Sequence, residues 1–166
     1  ELNINIIMRS ITANWFECKI RYEKMQDDGT QKNVTELYVV DALSFSEAEE
    51  RITEEMSSYI RGAFEVKDIK KSAYSEIFFS DDSNADLWYK AKLDFITIDE
   101  KSGKEKRKGT NYLVHASSFS EAVNNIISVM KGTLIDYAVS SVIETKIMDV
   151  FEYKKKEIDD KPEYEQ

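Results

Sequence analysis

The feature that most constrains this chain is an internal repeat of about seventy residues. The motif WFxxKIxY, starting at residue 15, recurs as WYxxKLxF at residue 88. YVVDALSFSEA at 38–48 recurs as YLVHASSFSEA at 112–122, and EIF at 76–78 recurs as DVF at 149–151. The displacement is 73 or 74 residues throughout. Ordered matches at nearly constant spacing indicate a tandem duplication, so the fold must be one that two similar units can build.

The duplication also sets the predicted domain organisation. We expect a first repeat over 8–79, a linker over 80–86 and a second repeat over 87–153. Residues 1–7 precede Met8 and are interpreted as an upstream extension, although their alternating Leu and Ile residues could add a short strand. Residues 154–166 are charged, contain the only proline and show no periodicity, so a flexible tail is expected there.

Each repeat opens with a predicted β-hairpin. Around Trp15 and around Trp88, apolar and polar residues alternate with a period of two, which indicates strands with one apolar face. A second β-rich run follows in each copy, at 37–42 and 112–116. The connection is a short turn at 27–29 in the first copy and a longer loop over 103–109 in the second.

A helix is predicted to follow each hairpin. Ser44 and Ser118 each begin a Ser-x-x-Glu motif, in which the serine oxygen accepts an unsatisfied backbone N–H at the helix N-terminus. The first helix has an apolar stripe and an outer face rich in glutamate, whereas the second is more apolar all round. Long β-branched and aromatic runs over 66–79 and 137–153 then close the repeats as strands.

The predicted fold class is therefore α+β, a tandem duplication of a β-β-α-β unit. Three strands and one helix per copy are most economically arranged as a mainly antiparallel sheet with the two helices packed on it. The sheet could be continuous or divided into two halves related by a pseudo-two-fold axis.

Composition excludes several function classes. The formal net charge of −9 disfavours a generic grip on nucleic acid or on an anionic membrane, since both require clustered Lys and Arg. A single cysteine excludes an internal disulfide and a thiolate-rich metal site, and it fits a reducing compartment. There is no long apolar run and no signal peptide, so we expect a cytoplasmic protein without a membrane partner.

Three segments carry a resemblance to a known family. MRSITANWFECKIRYEK, VDALSFSEAEERITEEM and IMDVFEY resemble an uncharacterised domain-of-unknown-function family of gut-bacterial, phage and mobile-element proteins. The resemblance covers residues 8–153. It implies an origin but no activity.

The search for chemistry finds no catalytic, metal or cofactor constellation. His115 occupies the repeat position of Asp41 and is expected to be an ordinary strand residue, while a Cys18–His115 dyad would require the two copies to meet. Ser44 and Ser118 are explained as helix caps. The aspartate pairs at 27–28 and 81–82 lack the ligand series of a calcium loop. We therefore expect a protein that is not an enzyme and needs no cofactor.

Two features are candidates for binding. Trp15 with Lys19, and Trp88 with Lys92, share the strand face opposite the apolar set, where an open face could stack on a base or anchor a protein. Alternatively, the tryptophans cover the second side of the sheet or the pseudo-symmetric seam between the repeats. The other feature is a basic segment that could meet a phosphate or an acidic partner, or be a solvated hairpin tip: Lys101, Lys104, Lys106, Arg107 and Lys108.

The functional hypotheses are ranked accordingly. First comes a non-enzymatic accessory or protein-interaction module of phage or mobile-element type, which could form a homodimer through sheet edges or the tryptophan faces. The second is a single-stranded nucleic-acid binding protein that uses the two tryptophans and the basic segment. The third is an acidic DNA mimic that inhibits a host defence or DNA-binding enzyme through the glutamates of the first helix: Glu47, Glu49, Glu50, Glu54 and Glu55.

Overall fold

The computed structural model describes residues 6–7 and 14–152. Residues 1–5 of the predicted extension and the predicted tail at 154–166 lie outside this range. The elements in chain order are β1 Ile6–Ile7, β2 Asn14–Met25, β3 Gln31–Ala42, α1 Phe45–Tyr59, β4 Phe64–Lys71, β5 Tyr74–Ser80, β6 Leu87–Ile98, β7 Glu105–Ala116, α2 Phe119–Met130, β8 Asp136–Glu144 and β9 Ile147–Phe151. The predicted α+β class and the duplication are confirmed.

The chain divides into two compact units with matching topology. In the first unit, the sheet order is β4-β2-β3-β9, and α1 packs on this sheet. In the second unit, the order is β1-β5-β7-β6-β8, and α2 packs on that sheet. Pairing is antiparallel except that β9 runs parallel to β3, and β5 runs parallel to β7. There are thus two sheets, and β1 gives the second one strand more.

Each predicted closing strand is in fact two strands with a break between them. The first run divides into β4 and β5, and the second into β8 and β9. The breaks are equivalent, because the N–H of Ser72 donates to the carbonyl of Trp15 (2.9 Å) and the N–H of Thr145 donates to that of Trp88 (2.8 Å). Length alone does not predict the break, because β2, β3, β6 and β7 are unbroken at 12 residues and also exceed the usual strand of about 3–10 residues.

After the break, the second half of each closing run pairs with a strand of the other unit. β5, from the first copy, pairs with β7 in the second unit, and β9, from the second copy, pairs with β3 in the first. The compact units therefore differ from the predicted repeats at 8–79 and 87–153 by an exchange of one strand. Sequence periodicity could not reveal this, because a period of two predicts a strand but does not indicate which neighbour that strand pairs with.

The cores lie between each helix and its sheet. In the first unit, Ile52 and Met56 of α1 pack on Phe16 and Ile20 of β2. In the second unit, Ile126 of α2 belongs to the cluster that includes Leu93, Tyr112 and Phe78. Both predicted caps are confirmed: Ser44 Oγ accepts the N–H of Glu47 at 3.1 Å, and Ser118 Oγ that of Glu121 at 3.2 Å.

The second hairpin is longer than predicted. β6 and β7 pair without interruption from Leu87 opposite Ala116 to Ile98 opposite Glu105. Gly109 lies within β7 opposite Asp94, so the predicted loop over 103–109 is wrong in its second half. The basic segment was predicted to lie in a loop, but an antiparallel hairpin can carry charged side chains on its solvent-facing side.

Candidate functional site

The two tryptophans are buried and are not available for stacking on a base in this structure. Trp15 is 6% exposed and Trp88 is 2% exposed. Trp88 stacks on His115 with ring centroids 4.3 Å apart and meets Phe79 edge-on at 5.5 Å. The condition for the predicted open face is therefore not met, and the alternative, packing on the second side of the sheet, describes both rings. Lys19 and Lys92 remain exposed.

Cys18 and His115 lie in different units. Cys18 is fully buried in the core of the first unit. Burial, with a smaller effect from Glu17 and Asp68, raises the pKa of its thiol to about 12. The thiolate is the nucleophilic form of cysteine, so Cys18 is inert at neutral pH.

A tyrosine and a carboxylate face each other at equivalent positions of both units. Tyr112 lies opposite Glu76, and Tyr38 lies opposite Asp149. Burial raises the pKa of both tyrosines, with Glu76 adding to the effect at Tyr112 and Glu36 at Tyr38. Burial also raises the pKa of Glu76. Both tyrosines are therefore protonated at neutral pH and are poor general bases.

A polar contact ties each helix to its sheet. In the first unit, Arg51 Nη1 donates to Asp41 Oδ1 at 2.6 Å and to the Asp41 carbonyl at 3.2 Å. In the second, Asn125 Nδ2 donates to the carbonyl of His115 at 3.1 Å. Both changes, Asp to His and Arg to Asn, occur at matched repeat positions. The charged contact in one copy has become a neutral contact in the other, and this supports a structural role for His115.

The predicted basic segment is divided between a turn and a strand. Lys101 and Lys104 lie at the turn between β6 and β7, whereas Lys106, Arg107 and Lys108 lie on β7. Lys106 Nζ is 3.4 Å from Asp99 Oδ2, and Arg107 Nε is 3.6 Å from Glu105 Oε2. All five side chains are exposed.

The glutamates of α1 face outward to different degrees. Glu49, Glu50 and Glu54 are exposed, while Glu47 and Glu55 are half-buried. The DNA-mimic hypothesis that rests on them stays a prediction.

The two copies differ in charge along the outer flank of the helix and the adjoining edge strand. In the first unit, a groove of about 340 Å³ separates α1 from the edge strand β4, and charged residues line it together with apolar ones: Phe45, Ser46, Glu49, Val66, Lys67, Asp68 and Ile69. At the matching positions the second unit has Val123 for Glu49, Ser140 for Lys67 and Ser141 for Asp68.

We call the corresponding region of the second unit the α2–β8 surface, defined by Phe119, Val123 and Ile127 of α2, by Val139 on the side of β8 that faces α2, and by Ile143 on the other face of this edge strand. α2 packs on β8, and Val142 of β8 is packed against the cluster of Tyr89, Ala116 and Ala122 under the helix. Phe119, Ile127, Val139 and Ile143 are between 38% and 60% exposed. Sequence reasoning did not single these residues out, although aligning the copies position by position shows the loss of charge.

The composition of the two edge strands differs in the same sense. β4 carries Glu65, Lys67, Asp68 and Lys70, whose counterparts on β8 are Ala138, Ser140, Ser141 and Ile143. Charged residues on an edge strand prevent another chain from adding to the sheet. β4 has this protection, and β8 has lost nearly all of it.

Neither a metal centre nor a membrane span is found. Among the residues that the structure describes, no group of three His, Cys, Asp or Glu side chains is placed to hold a metal ion. No helix within 14–152 is long and apolar enough to cross a membrane.

Comparison with known proteins identifies one family. The model of a family described as a domain of unknown function, DUF4494, matches residues 14–153. No curated protein and no solved structure matches the chain.

Proposed function

We propose that this chain, which belongs to the DUF4494 family of domains of unknown function, is a non-enzymatic module that binds a protein partner through the α2–β8 surface. The observation that carries the proposal is the divergence between two copies of one fold. The helix flank and edge strand are charged in the first copy, and apolar or uncharged in the second.

The helix contributes an apolar stripe. Phe119, Val123 and Ile127 follow one another at intervals of four residues and so lie along one flank of α2. Their counterparts in α1 are Phe45, Glu49 and Thr53. A stripe that is kept apolar but left exposed on one copy only is typical of a surface that is covered by another protein.

The strand contributes hydrogen-bonding capacity. Val139 and Ser141 flank an irregularity in β8, where Ser140 is skipped in the pairing with Lys92 and Leu93 of β6. Such a bulge interrupts a long ladder. A partner strand would therefore pair with only a few residues, those from Ser141 to Glu144, and most of the affinity would come from burying the apolar flank.

An accessory role of phage or mobile-element type is part of this proposal, and it rests on the resemblance seen in the sequence alone. The non-enzymatic character is supported by the chemistry of the described residues. Cys18 is a protonated, buried thiol, and Ser44 and Ser118 have their hydroxyls engaged as helix caps.

The test is a pull-down from host lysate with the tagged chain, with and without nuclease, read by mass spectrometry. Two variants disrupt the surface: Ile127→Glu on α2, and Ile143→Lys, which introduces the residue type found at the matching position of β4. Thr53→Glu, at the position of α1 that matches Ile127, and Ser57→Glu, at a second exposed position of α1, are the controls. All variants should keep the wild-type circular dichroism spectrum.

We expect a stoichiometric, nuclease-resistant partner that is lost in both disrupting variants and retained in both controls. Sedimentation of the purified chain would show whether that partner is a second copy. A partner that survives Ile127→Glu and Ile143→Lys, or that is lost equally in the control variants, would exclude this surface as the binding site.

A further inference from the structure

A groove on the second unit has a composition suited to anions. It lies on the β6–β7 hairpin, has a volume of about 550 Å³ and is lined by Phe95, Thr97, Lys106, Arg107, Lys108, Thr110 and Ile135. We call it the β6–β7 groove. Every charged residue of its lining is a cation, on a chain whose formal net charge is −9. Its volume falls in the range of small-ligand sites, about 300–1,000 Å³.

The groove exists because the helix is shorter than the strand it covers. α2 and β7 both have 12 residues. A helix of that size is about 18 Å long and a strand about 40 Å, so the helix can cover only about half of the strand. The remaining half of the sheet face, toward the β6–β7 turn, is where the groove opens.

One cationic and two aromatic side chains lie next to one another across this face. Phe95 of β6 lies directly opposite Lys108 of β7 on one side and opposite Tyr137 of β8 on the other. Residues that are paired across neighbouring strands project from the same face, with Cβ atoms about 5 Å apart. Lys108, Phe95 and Tyr137 therefore form one row, a cation beside two aromatic rings.

The first unit has a groove of similar size, about 540 Å³, beside its own hairpin, but its charges and its sheet face differ. Its charged lining residues are Arg21, Glu23, Arg61 and Glu65, two of each sign. Arg21 and Glu23 alternate with Tyr22, which occupies the position of Phe95, so they project from the other face of the sheet. Val34 stands where the second unit has Lys108. The aromatic position is thus common to both copies, whereas the cation beside it belongs to the second.

We propose that the β6–β7 groove binds single-stranded nucleic acid, with bases stacked against Phe95 and Tyr137 and phosphates held by Lys106 and Lys108. Lys106 lies opposite Thr97 and Lys108 lies opposite Phe95, so both cations share the face of the aromatic rings. Aromatic side chains on a sheet next to cations are what an unpaired base and its phosphate require. Lys106 already contacts Asp99. An exposed ion pair of this kind contributes little, so a phosphate can replace that carboxylate.

An acidic peptide would satisfy the cations but not the row of aromatic rings, and for this reason nucleic acid is the better fit. The negative charge of the rest of the chain will oppose any polyanion. Binding is therefore local, and it weakens steeply as salt is added.

The experiment measures fluorescence anisotropy of a labelled single-stranded oligothymidylate over a series of salt concentrations. Three further probes are an oligouridylate RNA of the same length, a DNA duplex and a glutamate-rich peptide. The test variant is the double substitution Lys106→Gln, Lys108→Val, which removes the two cations on the face of the aromatic rings. Its matched control is Arg21→Gln, Arg61→Gln, which removes the same charge from the other groove.

Wild-type protein should bind the single strands and not the duplex. The double substitution should weaken binding about tenfold at low salt. It should also reduce the slope of log affinity against log salt by about 1.4, the value for two lost phosphate contacts on a single strand. Phe95→Leu should weaken binding and leave that slope unchanged.

The control variant should bind like the wild type, and so should Ile127→Glu, since the α2–β8 surface is not involved. Equal losses in the test and control variants would show a general charge effect and overturn the proposal. Absence of oligonucleotide binding at low salt, or tighter binding of the peptide than of the single strands, would overturn it as well.

Discussion

The contact between Arg51 and Asp41 gives the sharpest prediction about stability. The two side chains are 7% and 13% exposed, and their charged atoms are 2.6 Å apart. Removing one member of a buried ion pair costs about 3–5 kcal/mol, because the remaining charge is left without its partner. Since Asp41 keeps some access to water, we expect Arg51→Ala to lower the free energy of unfolding by about 3 kcal/mol.

The second unit provides the compensating change. There, His115 and Asn125 make a neutral contact at the matching positions. The double substitution Asp41→His, Arg51→Asn should therefore be within about 1.5 kcal/mol of the wild type, because replacing both members of a buried pair leaves no unpaired charge. Trp15, which lies opposite residue 41, could then stack on the new imidazole as Trp88 stacks on His115.

The assay is urea unfolding at neutral pH, followed by circular dichroism, with Arg61→Ala as an exposed control that should change stability by less than about 0.5 kcal/mol. A loss below about 1 kcal/mol for Arg51→Ala would refute the buried-pair argument. So would a double variant that is as unstable as the sum of Asp41→His and Arg51→Asn measured singly, since the two positions would then be independent.

Two further predictions concern the core and the helix caps. The pKa of Cys18 is raised from 9.0 to about 12 in the folded chain, so the unfolded chain loses its proton first. The free energy of unfolding should therefore fall as pH rises above 9, by up to about 1.4 kcal/mol per pH unit. Cys18→Ala should flatten urea-melt stability between pH 9 and 10, and an unchanged slope would contradict the assignment. Ser44→Ala and Ser118→Ala should each lower the free energy of unfolding by about 1 kcal/mol in thermal or urea melts. The control substitutions Ser46→Ala and Ser120→Ala should be nearly neutral. Equal effects at capping and non-capping serines would argue against the cap contribution.

Much of the fold was accessible from the sequence, for a physical reason. Duplication doubles each signal, so the alternation near Trp15 is supported by that near Trp88, and the cap at Ser44 by that at Ser118. These are local effects, and a local pattern is enough to predict them. The exchange of β5 and β9 depends on which strand each of them pairs with, and no local sequence pattern indicates that.

The binding residues were harder to predict because alternation identifies a face but not what covers it. The sequence left the face opposite the helix either open or covered, although Val39 and Leu113 on that face are apolar like the tryptophans, and all four residues are buried. The basic residues were recognised, but their aromatic neighbour Phe95 was not, since their proximity comes from the cross-strand register. The α2–β8 surface needed a comparison of charge between the copies.

The exchanged strands also bear on ancestry. A single ancestral copy, ending in the segment that became β5 and β9, could not have supplied the parallel neighbour of its own central strand if it used the connection seen today. Two such chains could have supplied this neighbour to each other, each adding its final strand to the sheet of the other. Gene fusion would then have turned a strand-swapped homodimer into one polypeptide. That event would have freed the two halves to diverge, so that one could keep its charges while the other specialised.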